Sequence, residues 1–153
     1  MRDDPGRPAN PQANEEGAVL VEFALVIGLF FLLVFGMIDY GLGINSLTEL
    51  NNAGREGARL ATVNPDPTVV ENRVKEAITK LDIDLVNIAI TCEDDAGLPC
   101  SGAEAAGDLR NGSTGDTVTV VLTYQHDLLT PIPTFLNPDG TVSLTSTTEM
   151  RIE

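Results

Sequence analysis

The chain has 153 residues, room for one small domain beyond any membrane segment. Its 9 Lys+Arg against 23 Asp+Glu give a net charge of −14, and so acidic a chain repels phosphate backbones, which excludes nucleic acid as a partner. One His and two Cys leave little material for His-dependent catalysis or a four-ligand zinc site, so neither an enzyme nor a cofactor- or metal-dependent protein is expected.

Residues 1–17, MRDDPGRPANPQANEEG, are polar and proline-rich and are expected to be a disordered leader. Residues 18–38, AVLVEFALVIGLFFLLVFGMI, hold one charge in 21 positions and four of the five Phe. At about 1.5 Å per residue such a helix spans roughly 31 Å, close to a hydrocarbon core about 30 Å thick. The run exceeds the roughly 7–15 apolar residues of a cleaved secretory signal, and no Ala-x-Ala site follows at Asp39, Tyr40 and Gly41. A single-pass helix is therefore expected, with Tyr40 as an interfacial aromatic. Arg2 and Arg7 precede the helix and Arg55 is the first basic residue after it, which places the N-terminus in the cytoplasm and the C-terminal part outside. A buried core helix is the alternative, but a chain this small could hardly enclose it.

Glu22 lies about one turn into this segment. A carboxylate there costs a few kcal/mol unless it snorkels to the interface or finds a partner. Gly17 precedes it by five positions, and Ala18, Glu22 and Phe23 complete a pattern that resembles the type IV prepilin processing motif, with cleavage after the Gly. That resemblance implies a partner: the new α-amine of Ala18, one helical turn away at i,i+4, on the same chain or on a neighbour. The leader here is acidic where prepilin leaders are usually basic, which bears on how efficiently, not where, the chain would be cut.

No Pro occurs between Pro11 and Pro65, so one helix can run over about 18–63. Its outer half carries Leu47, Leu50, Gly54, Gly57, Ala58 and Ala61 at helical spacing, and the small residues favour close packing on a sheet. Arg55 and Arg59 share a face with Glu56 beside them. Two readings stay open: a solvated face with local ion pairs, or an inter-subunit salt bridge.

Pro65 ends the long helix. Val70, Val74, Ala77, Ile78 and Leu81 predict a second helix over 67–81, capped by Asp66 or by a Thr68–Glu71 capping box. LVNIAITC alternates, with Val86, Ile88, Ile90 and Cys92 on one face. TVTVVLTYQ puts Val118, Val120, Leu122 and Tyr124 in phase, and TVSLTSTTEMRI puts Val142, Leu144, Met150 and Ile152 in phase. Three such strands predict an antiparallel sheet covered on one face by the two helices. The fold class is α+β and pilin-like in outline. The expected division is leader 1–17, transmembrane half 18–40 and extracytoplasmic domain 41–153.

Residues 93–115 form a Gly-rich, acidic stretch, and so long a loop is expected to be functional or disordered. Cys92 and Cys100 bracket its first part and are expected to form a disulfide in an oxidising compartment. Glu93, Asp94 and Asp95 lack the alternating spacing that aims oxygens at one Ca²⁺, so a solvated acidic loop is favoured. Residues 127–140 hold Leu128, Leu129, Ile132, Phe135 and Leu136, expected to pack over the sheet rather than form an exposed patch. His126 is expected at a strand end on the surface.

Over most of residues 15–153, most weakly over 64–115, the chain resembles the TadE-like family. The stretches that carry it are EEGAVLVEFALVIGLFFLLVFGMIDYG, NNAGREGARLA, and the C-terminal VTVVLTYQHDLLTP and GTVSLTSTTEMRIE. The resemblance implies a pseudopilin or minor pilin of a tight-adherence type IV pilus, larger than the short major pilins of that system. It implies a bacterial inner-membrane location and an endpoint in an extracellular pilus. The implied partners are a prepilin peptidase, other pilins and pseudopilins, the membrane assembly platform and membrane lipid. Gly17 and Ala18 would form the processing site, and Glu22 with Phe23 would set assembly register. The alternative is a permanently anchored extracytoplasmic binding or adhesion module that is never processed.

Overall fold

The computed structural model describes residues 11–128 and 140–153, with side chains from Gly17 onward. Helix α1 runs from Pro11 to Ala61 and helix α2 from Pro67 to Ala77. Strands β1 (Val86–Glu93), β2 (Thr117–Asp127) and β3 (Thr141–Arg151) follow, with short 3₁₀ turns at Ile83–Leu85 and Leu109–Asn111. The α+β class expected from the sequence is the one observed. Contacts divide the chain into two compact units, Met1–Ile38 and Asp39–Glu153.

In the first unit the helix begins before Gly17, so residues 11–17 are helical rather than an unstructured leader. Pro11 occupies the first helical position, where its missing N–H costs nothing, and Ala13, Glu15 and Glu16 are good helix formers. From Val19 to Ile38 large apolar side chains are exposed on every side, Phe23 at 61% and Leu25 at 71%. No part of the most apolar 18-residue window is buried within the molecule. This helix is long and apolar enough to cross a membrane and is compatible with single-pass anchoring.

In the second unit the sheet order is β1-β2-β3, antiparallel throughout. The register places Ile88, Leu122 and Ser146 in one row and Cys92, Val118 and Met150 in another. Every residue in these rows lies on the face expected from the alternation. That face packs on the outer half of α1 and on α2: Leu50, Ala53, Ala58, Val74, Ile78, Val86, Val120 and Leu122 form the main core. Ala61, Val70, Leu109 and Val118 form a second, smaller one.

The small-residue stripe of α1 does two separate jobs. Gly54 meets the sheet, where a Cβ would come within 3.0 Å of the Thr148 hydroxyl. There Ser146, only 3% exposed, donates to Asn51 Oδ1 at 2.7 Å, so β3 closes the core with a polar contact. Gly57 meets α2 instead, where a Cβ would overlap Val74.

Helix α2 is shorter than expected. Asp66 caps it, accepting from the Thr68 N–H at 2.9 Å and the Thr68 hydroxyl at 2.7 Å, with Pro67 in the first turn. Thr68 is thus a donor to the cap rather than the start of a capping box. At the other end Ile78 is extended. Glu49 on α1 accepts the N–H groups of Thr79 and Lys80 at 2.5 and 2.6 Å, the donors that a longer helix would use internally. The apolar residues Leu129, Ile132, Phe135 and Leu136 lie outside the described residues; Leu128 is half-buried, and its N–H donates to the Gly140 carbonyl at 2.9 Å.

Candidate functional site

Gly17 lies inside α1 in open space: a Cβ added there would meet nothing within 4 Å. Ala18, Glu22 and Phe23 are exposed. Ala18 and Glu22 share a face by helical spacing. The Gly17–Ala18 peptide is therefore part of a helix near its N-terminal end. A protease needs that backbone extended, and Gly in a helix lowers the local cost of unwinding by about 1 kcal/mol relative to Ala.

On the outer half of α1, Glu56 is committed within the chain. It pairs with Arg73 of α2 at 2.5 Å and with Arg59 at 3.4 Å. Hydrogen bonds from Arg73, then Arg59, hold its carboxyl below the ordinary range. Arg73 also reaches Glu76 at 3.6 Å. Arg59 is 76% exposed, and Arg55 is exposed with no ion pair among the described residues.

The Cys92–Cys100 disulfide is present, closing a separation of 8 residues with a Cα–Cα distance of 5.4 Å. Both cysteines are buried. Although Asp116 lies near enough to complete a three-ligand group, both thiols are spent in the bond. The stretch 93–115 is an ordered flap, not a loose loop. Cys92 N–H donates to Gly107 at 2.9 Å, Gly107 N–H to Cys100 at 2.8 Å, and Cys100 N–H back to Cys92 at 3.0 Å. Asn111 Oδ1 accepts from Glu104 N–H at 3.1 Å while its Nδ2 donates to the Ala105 carbonyl at 2.9 Å. Leu109, 1% exposed, anchors the flap to Ala61, Val70 and Val118. The three consecutive acids at its start do not converge on a cation. Asp94 accepts the N–H groups of Ala96 and Leu98, both at 2.9 Å, Asp95 pairs with Arg151, and Glu93 is exposed.

His126 departs from its surface expectation. Its Nδ1 lies 3.3 Å from the Ser46 hydroxyl, and its Nε2 is buried without a hydrogen-bond partner among the described residues. It lines a cavity of about 420 Å³ with Asp39, Tyr40, Ile44, Leu47 and Leu144 among its walls. Asp39, the first residue after the apolar run, is 7% exposed. A signal for His126 does exist in the sequence: it continues the in-phase series Val118, Val120, Leu122 and Tyr124 by one more step of two.

An apolar helix long enough to cross a membrane, followed by a three-stranded α+β domain, gives the pilin-like outline expected from the sequence. Residues 17–59 match the model of the TadE-like protein family, the family that the sequence resembles. No curated protein and no solved structure matches the chain.

Proposed function

We propose that the protein is a TadE-like pseudopilin or minor pilin, a structural rather than enzymatic component of tight-adherence pilus assembly. A prepilin peptidase cuts it after Gly17, and its helix then leaves lipid for the company of other pilin helices. The single observation that carries this reading is the Gly17–Glu22 spacing at the start of an apolar segment none of whose most apolar window is buried, within a family match that begins at Gly17. Leaving lipid costs such a helix little when neighbouring apolar helices replace the acyl chains. Glu22 sets axial register because an unpaired carboxylate in that environment is costly, whereas one paired with the Ala18 amine is not.

The test is the intact mass of the protein co-expressed with its prepilin peptidase. Loss of residues 1–17 is expected; a chain that keeps its leader overturns the processing claim. The cavity at His126 favours a second reading, a permanently anchored binding module. Under that reading the N-terminus stays at or near Met1, and removing the other pilus components leaves its location unchanged.

A further inference from the structure

The exposed face of the outer half of α1 carries no acid. Gly41, Asn45, Thr48, Asn52, Arg55 and Arg59 follow one another at three- and four-residue steps, and all are exposed. Without residues 1–17 the chain has 7 basic and 19 acidic residues, so this face is an exception on a strongly negative protein. The two acids on this half of the helix are turned aside and used: Glu49 by Thr79 and Lys80, Glu56 by Arg73 at 2.5 Å and, more loosely, by Arg59 at 3.4 Å. What remains is a neutral strip ending in two arginines at i,i+4.

The flap has the opposite character. Residues 93–116 hold six carboxylates and one arginine. Four of the six are occupied within the flap or its supports: Asp94 by Ala96 and Leu98, Asp95 by Arg151, Asp108 by Arg110, and Asp116 by the Ser113 N–H. Glu93 has no ion pair among the described residues, and Glu104 reaches Arg110 only at 3.5 Å. The disulfide and Leu109 hold these two glutamates on an ordered support, which lowers the entropy lost on docking.

We propose that the Arg55–Arg59 face of one copy docks the flap of a second copy, with Glu93 and Glu104 as the acidic counterparts. A lipid headgroup is the wrong occupant. Arg55 lies 16 residues beyond Asp39, about 24 Å along the helix, whereas the headgroup layer is only about 5–8 Å deep. Nucleic acid is excluded by the overall charge. With one patch on α1 and the other on the flap, the contact can repeat from each copy to the next, the heterologous arrangement that a filament needs. It rests on the pilin reading, because it supplies the domain-to-domain contact of a filament whose helices are already associated.

The experiment places a photo-cross-linking benzoylphenylalanine at position 52 of the full chain, in cells carrying the pilus apparatus. The expected product joins the residue 52 peptide to residues 93–107 of a second copy, identified by mass spectrometry. Arg55→Glu with Arg59→Glu is expected to lower its yield about fivefold, the effect of two exposed ion pairs turned repulsive. Glu93→Arg with Glu104→Arg in a co-expressed second copy is expected to restore it. An intact Cys92–Cys100 disulfide serves as the check on folding. Cross-links to another protein, to another region of the chain, or none at all overturn the proposal, as does a yield indifferent to charge reversal. Loss of residues 1–17 is read from the mass of the same sample, so failure of the contact and failure of processing are told apart.

Discussion

Gly57 of α1 faces Val74 of α2 with no room for a methyl group between them: a Cβ on the glycine would overlap Val74 Cγ2. The two helices approach as closely as they do because position 57 has no side chain. Val74 is fully buried in the main core, so it cannot swing away into solvent.

Gly57→Ala is therefore expected to destabilise the domain. In a helix interior the same change normally gains about 1 kcal/mol of propensity. Overpacking a well-filled contact costs about 1–3 kcal/mol, which wins here. Thermal unfolding of the full chain in detergent, followed by the strand signal in circular dichroism, checks this; a raised Tm would refute it. Gly54→Ala meets the Thr148 hydroxyl at 3.0 Å, which can yield by rotation, so a smaller loss is expected.

Opening the disulfide should act on the flap first. The 8-residue separation corresponds to about 2.5 kcal/mol of chain entropy. Cys92→Ser with Cys100→Ser is expected to lower stability by about that amount in denaturant titration. Hydrogen exchange should quicken around Gly107 and Leu109 before it does in β2. Uniform loss of protection across the sheet would contradict this order.

The flap also has an acid limit. Arg110 donates to Asp108 through its side chain at 3.0 and 2.9 Å and through its backbone N–H, and holds the Asp108 carboxyl at about 2. The folded value lies below the unfolded one, so this contribution is present above about pH 4 and is lost as the pH falls toward about 2. Exchange protection of the Arg110 N–H should hold down to about pH 4 and fall away below it. In Asp108→Asn that step should be missing.

Glu22→Ala separates cleavage from assembly. The cut is expected still to occur, because the Gly17–Ala18 bond is untouched. Incorporation into sheared pili is expected to fall, because the proposed register contact with the Ala18 amine would be lost. Equal incorporation of the variant, quantified against the wild-type chain, would remove Glu22 from the register role.

The sequence by itself determined the elements whose signals are local. Twenty-one nearly uncharged residues specify a membrane-length helix, and the two-residue alternation places Val118, Val120 and Leu122 on the covered face. Two cysteines eight residues apart specify their own bond. Periodicity and short spacing carry such information because they depend only on neighbours along the chain. The tertiary structure alone decided what bridges long separations. Glu56 takes Arg73, 17 residues away; Glu49 ends α2 from 30 residues away; Ser46 meets His126 across 80. No local pattern announces these pairs, because each arises only once packing of the apolar faces has brought two distant polar groups within reach. The ordering of the flap belongs here too, since Leu109 acquires its hold only when Ala61, Val70 and Val118 have already converged.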